Sequence, residues 1–212
     1  MNVDIKFEHI TSSPNGFFVD CGSHNGKYLS KTKRLEDKGW DGIAVDANPT
    51  LCDEYCTNRS TKCYNYALSD VDNIDVKLHL YPGNRNLARS SLDVNKLLIE
   101  YKDITEADLE HITCKTITLN TLFSRNKIKN IDFLKIDLEG LDARVLLDLS
   151  LHKYNIQMIC YEVLGFFACR EEYLKLEKKL IKHGYKKLLD LDKSSKYFEE
   201  KDVVWSKLSD YK

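Results

Sequence analysis

Long hydrophobic runs are missing from this chain. No stretch of its 212 residues approaches the ~20 apolar positions of a membrane span, which excludes a spanning helix. Residues Met1 to Thr11 are polar and charged and hold no apolar signal region, so we expect a cytoplasmic protein. An excess of one charge is missing too. With 32 basic and 33 acidic residues the formal net charge is -1, which gives no global pull towards nucleic acid or anionic lipid. Nucleic acid is therefore an unexpected partner, a local basic patch apart.

Three prolines and nine glycines form no linker, and no repeat or low-complexity tract divides the sequence. With 42% hydrophobic residues, a chain of this length can bury a substantial core. Residues 1–212 are expected to form one domain: a short N-terminal segment (1–16), a first half over 17–70 and a C-terminal half over 131–212. The seven cysteines include no C-x-x-C pair. Cys52, Cys56 and Cys63 could supply three zinc ligands, but no nearby histidine completes the set. They read as small hydrophobes in a reduced protein, and no metal is expected.

What is present is an alternation of strand and helix patterns. Phe17–Cys21 reads as a buried strand. From Lys27, the residues Tyr28, Leu29, Thr32 and Leu35 recur at helical spacing as far as Lys38, and Gly39 is placed for a left-handed stop. "WDGIAVD" gives a strand ending at Asp46, Pro49–Asn58 a helix, and "KCYNYAL" a third strand. "DVKLHLY" (75–81) and "ITCKTITL" (112–119) read as extra strands around a polar loop and a short helix. "IDFLKID" (131–137) is an unbroken central strand, followed by a helix over Ala143–Leu149 and a strand over 155–162. Glu171–His183 is a helix closed by Gly184, with Tyr173, Leu174, Leu180 and Ile181 as its buried stripe. "YKKLLDL" and "VVWS" pair antiparallel at the end. The expected class is α/β: a mostly parallel seven-stranded sheet with helices on both faces, a C-terminal antiparallel strand and a β insertion at about 75–119.

The turn in "FFVDCGSHNGKYLS" sits at the carboxyl end of the first strand, where open parallel sheets bind ligands. Gly22 and Gly26 permit a tight turn and close approach to bare main chain. The next strand ends in Asp46, where an acid can accept hydrogen bonds from both ribose hydroxyls of a nucleoside. The loop is neither G-x-G-x-x-G nor a P-loop, so a nucleoside without a pyrophosphate fits, and S-adenosylmethionine is the commonest such cosubstrate of this architecture. Cofactor contacts are expected from Asp20, Gly22, Ser23, His24, Asn25 and Gly26 in the turn, from Asp46, Ala47 and Asn48, and from Ala67, Leu68 and Ser69. Leu68 and Ser69 should flank the adenine.

"FVDCGSHNG", "SKTKRLEDKGWDGIAVDANP", "NR" (58–59), "NYALSD" and "IDFLKIDLEGLDARVL" together resemble the FkbM-type class I methyltransferases over residues 17 to 150, and more weakly to Glu162. "FLKIDLEG" is the most specific block. The chain differs from the usual pattern at Ser23, Asn25, Asp46 and Asp142, each a change conservative in polarity or size. The resemblance implies a Rossmann-like class I methyltransferase domain, S-adenosylmethionine as cofactor, and O-methylation of a glycan or small molecule.

In the 131–137 strand, alternation puts Phe133, Lys135 and Asp137 on one face. A lysine in an apolar strand requires a carboxylate, and Asp20, Asp137, Glu139 and Glu162 are expected around it. Asp137 is the first candidate to orient the acceptor or take its proton, with Glu139 or Glu162 next and Lys135 as the supporting ammonium; Asp137 could instead hold the cofactor's ammonium. In the loop at 81–93, Arg85, Arg89, Ser90 and Ser91 are candidate acceptor contacts. Two rival readings are an RNA ribose 2′-O-methyltransferase and a non-catalytic S-adenosylmethionine-binding protein.

Overall fold

A computed structural model describes residues 15–83, 90–164, 170–192 and 200–207. Strands β1 (Phe17–Cys21), β2 (Asp41–Asp46), β3 (Lys62–Asn65), β8 (Asn130–Ile136), β9 (Asn155–Leu164), β10 (Lys186–Asp192) and β11 (Glu200–Ser206) form a seven-stranded sheet in the order β10-β11-β9-β8-β1-β2-β3. Only β11 runs against its neighbours; β9-β8-β1-β2-β3 are parallel. The order reverses between β1 and β8, which makes their carboxyl ends the switch point of the sheet. Val19, Cys21, Leu134, Ile136 and Ile159 from the strands pack against Ala143, Val145 and Leu146 of the helix over Asp142–Asp148. All of these are buried, as a sheet covered by helices requires.

The insertion forms a second, four-stranded sheet. β4 (Ala67–Leu68) pairs in parallel with β7 (Glu110–Ile117), which pairs antiparallel with β5 (Asp75–Leu80), and β5 with β6 (Ser90–Ser91). Among the described residues, no helix is long and apolar enough to cross a membrane.

Three local expectations are corrected. The first helix, α1, covers only Lys33–Asp37. Asn25 Oδ1 accepts from the backbone N–H of Lys27 and Tyr28, and His24, Gly26 and Leu29 all have positive φ, so the chain turns where a helix would have begun. The run 62–68 is two strands. Tyr66 donates its N–H to Asp46 O, and the Asn65 side chain holds Asp46 O and Ala47 O, so the chain leaves the main sheet there. In the helix over Arg170–Lys182, Leu174 and Ile181 face solvent, and the buried stripe is Tyr173, Leu176 and Leu180, at i, i+3 and i+7.

Candidate active site

A cleft with about 970 Å³ of space, counted out to its open mouth, lies at the switch point. Four segments build it. The carboxyl ends of β1, β2 and β8 supply Asp20, Asp46 and Lys135; the turn after β1 supplies Gly22, Ser23, His24, Tyr28, Leu29 and Ser30; the turn after β8 supplies Asp137, Leu138 and Glu139. The insertion closes the other side with Leu78, Ser90, Ser91 and Leu92.

The turn after β1 is held from beneath. Gly22 and Ser23 donate their N–H groups to Val45 O, at 2.9 and 3.3 Å. At Gly22, φ is +68°, and a Cβ there would sit inside the carbonyl oxygen of Asp137. Glycine is therefore required because another strand end fills that space. Gly26 serves packing as well, since a Cβ would press on Tyr55 and Arg59. Arg59 follows the helix α2 (Pro49–Asn58) and is buried. Its guanidinium donates to Gly26 O (3.1 Å) and Ser30 Oγ (3.2 Å) and pairs with Glu36. Asn58 donates to Asn25 O, so the "NR" dipeptide clasps the turn. Thr32 Oγ1 in turn donates to Asp20 Oδ2 at 2.6 Å.

Asp46 is buried at the end of β2, and its two oxygens accept from His24 N (2.8 Å) and Asn48 N (2.9 Å). Burial raises its pKa to about 6 against the opposing pull of those amides and of His24 and Lys135. The slot beside it is lined by Ala47, Leu51, Ala67 and Leu68.

Lys135 is the hub of the acid cluster. Its Nζ donates to Gly22 O (2.7 Å) and Cys21 O (3.3 Å), pairs with Asp20 Oδ1 at 3.3 Å, and lies 3.7 Å from Asp137 Oδ2. Burial opposes its charge, but Asp20 and Asp137 outweigh that and hold the ammonium above the ordinary lysine range. Asp137 itself is 26% exposed, at the cleft. Glu139 has φ +54° and pairs with Lys96 of the insertion's helix α3 (Val94–Glu100), while Ser91 Oγ donates to Glu139 O at 3.4 Å.

Not every expected residue reaches the cleft. Asp20, Gly22, Ser23, His24, Asp46, Ala47, Ala67, Leu68, Ser90, Ser91, Lys135, Asp137 and Glu139 line it; Asn25, Gly26, Asn48, Ser69 and Glu162 do not. Asn48 caps α2 by accepting from Thr50 N, and Ser69 turns its hydroxyl to Asp70 and its N–H to Ile117 O. Glu162 is buried one strand further on, its N–H on Asp142 Oδ1. Its neighbour Asp142 accepts from Leu138 N too; burial, then Asp137 and Glu162, push the Asp142 carboxyl up to about 7. Arg85 and Arg89 lie outside the described residues. The expectations missed Lys31 and Asp202. Lys31 Nζ bonds Asp202 Oδ1 at 2.7 Å and lies 3.8 Å from Asp137 Oδ2. Asp202 follows Glu200 and Lys201 at the edge of the apolar run "VVWS", so no local signal set it apart. Among the described residues, no group of three or more His, Cys, Asp or Glu is arranged to hold a metal.

Solved structures share the architecture. The methyltransferase domain of METTL16 superposes with a TM-score of 0.53 at 13% identity, over 98% of this chain and 67% of that one. An rRNA methylase from Streptococcus thermophilus superposes with a TM-score of 0.51 at 11% identity, over 99% of each. Among curated proteins, no sequence matches this chain. At such identities the likeness speaks for the fold, while the sequence itself is matched over residues 20–187 by the model of the methyltransferase FkbM domain. A glycine turn, a buried acid and a lysine–carboxylate cluster at one switch point thus have their family: the chain belongs to the FkbM methyltransferases and depends on S-adenosylmethionine.

Proposed function

We propose that this enzyme methylates a hydroxyl oxygen on a neutral glycan or small-molecule acceptor. The observation that carries the reading is Asp137, a carboxylate open to the cleft and flanked by two ammoniums, Lys31 and Lys135. Its oxygens can accept the hydrogen bond of an acceptor hydroxyl, orient it and receive its proton.

The residues present fit the cofactor. Asp46 offers a buried carboxylate to two vicinal hydroxyl donors, and Ala47, Leu51, Ala67 and Leu68 offer an apolar slot to a flat base. Asp20, Ser23 and His24 complete that side. S-adenosylmethionine brings a sulfonium-activated methyl group, so the chain need only position, exclude water and manage one proton. Lys135 pairs with Asp20 and ties the turn after β1 to β8.

On the acceptor side, Ser90 offers a hydroxyl and Leu78 and Leu92 apolar surface, a mixture suited to a sugar ring. Among the described residues, Lys135 is the one Lys or Arg lining the cleft, and it is ion-paired with Asp20, which favours a neutral acceptor over a phosphodiester chain. The test is a panel of methyl glycosides, phenols and an RNA oligonucleotide, read by release of S-adenosylhomocysteine. Turnover of a neutral hydroxyl compound supports the reading; turnover of the RNA alone, or tight cofactor binding with no turnover, would replace it.

A further inference from the structure

The two lysines beside Asp137 are not equivalent. Lys135 spends its three N–H groups on Gly22 O, Cys21 O and Asp20, so its 3.7 Å approach to Asp137 is a longer-range pairing. Lys31 reaches the same oxygen, Oδ2, from the loop after β1, and its short contact among the described residues is to Asp202. Asp202 is fully buried on β11, opposite Glu162 of β9. It also lies beyond residue 187, where the family match ends.

A buried Lys–Asp pair that only fastened a loop to a hairpin would be a costly device, since apolar contacts do that as well. This one is placed where its ammonium also faces the half-buried carboxylate of Asp137 at the cleft, next to Ser30, Leu29 and Tyr28, which line the cleft. We propose that Lys31 and Asp202 are positioning residues for Asp137: Asp202 anchors Lys31, and the Lys31 ammonium fixes the orientation and charge of the Asp137 carboxylate. The C-terminal hairpin thereby completes the site. The inference rests on the reading that Asp137 serves the acceptor.

Among the described residues, the charged groups around Asp137 include Lys31, Lys135 on β8, Asp20 behind it on β1, Asp142 on the following helix with Glu162 beside it, and Asp202 behind Lys31. An opposite charge at this distance lowers a carboxyl midpoint by ~1–3 units, so Lys31→Met should raise that of Asp137 by about one unit. Carbon-13 NMR of the side-chain carboxyls, in protein saturated with S-adenosylhomocysteine, reads this with no acceptor present. Lys31→Arg keeps the charge and should restore the midpoint. Because Lys31→Met strands a buried carboxylate, Lys31→Met/Asp202→Asn replaces it if the single variant does not fold, and the shift should persist. Asp202→Asn leaves Lys31 its charge but not its anchor, and should lower kcat/KM on the best panel acceptor by on the order of ten- to a hundredfold. A midpoint that stays within about 0.3 unit in a folded variant overturns the proposal, as does an Asp202→Asn enzyme with unchanged kcat/KM. If the midpoint moves and no hydroxyl compound turns over, the acceptor reading fails while the pairing of Lys31 with Asp137 stands.

Discussion

On the wall built by β1, β2 and β8, the polar atoms at the cleft are held by other parts of the chain: Asp46 by two amides, Lys135 by two carbonyls and Asp20, Asp20 by Thr32. The wall brought by the insertion meets the first through the Lys96–Glu139 pair, the Ser91 hydroxyl and apolar side chains such as Leu78. A cofactor shared by many enzymes needs a preorganised wall, because every atom fixed in advance removes an entropic cost of binding. A wall that selects the acceptor can be changed by altering the insertion, without touching the strands that carry the cofactor. On our reading the two walls divide the work in this way.

The contrast can be broken at the brace of the first wall. Arg59→Met leaves Glu36, whose pKa is near 2 because the hydrogen bonds and charge around it overcome its burial, without its guanidinium. The loss of a buried partner should cost roughly 3–5 kcal/mol in urea unfolding and loosen the turn after β1. A variant as stable as the parent would show that the turn needs no brace. Gly22→Ala should cost roughly 2–4 kcal/mol, from positive φ and from the clash with Asp137 O. The same unfolding measurement checks it, and a neutral effect would mean that β1 and β8 separate easily.

Asp142 sharpens the comparison through pH. Its folded pKa of about 7 lies above the ~3.9 of an unfolded chain, so the native state binds the extra proton between those values. Its contribution to stability is full below pH ~4 and is lost as pH rises to about 7. Asp142→Asn should flatten most of that fall, leaving a smaller slope from Asp46, which acts in the same sense up to about 6. A fall as steep in the variant as in the parent would place its source elsewhere. Asp46 also predicts that affinity for S-adenosylhomocysteine weakens below pH about 6, by up to about tenfold per unit, with the dependence gone in Asp46→Asn. Calorimetry at several pH values decides this. The smallest effect belongs to the second wall: Lys96→Met should leave S-adenosylhomocysteine affinity within about twofold while raising the acceptor KM. A large loss of cofactor affinity would erase the distinction between the walls.

The first wall was legible in the sequence because its residues stand at strand ends, where an apolar run stops at Asp20, Asp46 or Asp137. Local pattern locates such positions. Lys135 was legible for the same reason, as a charge in an apolar strand. Gly22 was recognised as a turn glycine, but the atom that forbids a side chain there is 115 residues away in Asp137, and no local pattern carries that. Lys31 and Asp202 stayed hidden because their pairing spans 171 residues. Asn25 and Asn48 illustrate the opposite error. Both are polar residues beside a ligand-binding turn, and both spend their side chains on backbone N–H groups, as short polar side chains do at turns and helix caps.

The central claim is that Asp137 acts on the acceptor, and the dissociation constant of S-adenosylhomocysteine measured beside the single-turnover rate of Asp137→Asn tests it most directly. The substitution keeps the shape and removes the charge. The account predicts an affinity close to that of the parent and a rate lower by roughly the 10²–10⁴-fold that follows loss of a general base. An affinity that falls by the same factor as the rate would contradict it, and would assign the carboxylate to the ammonium of the cofactor.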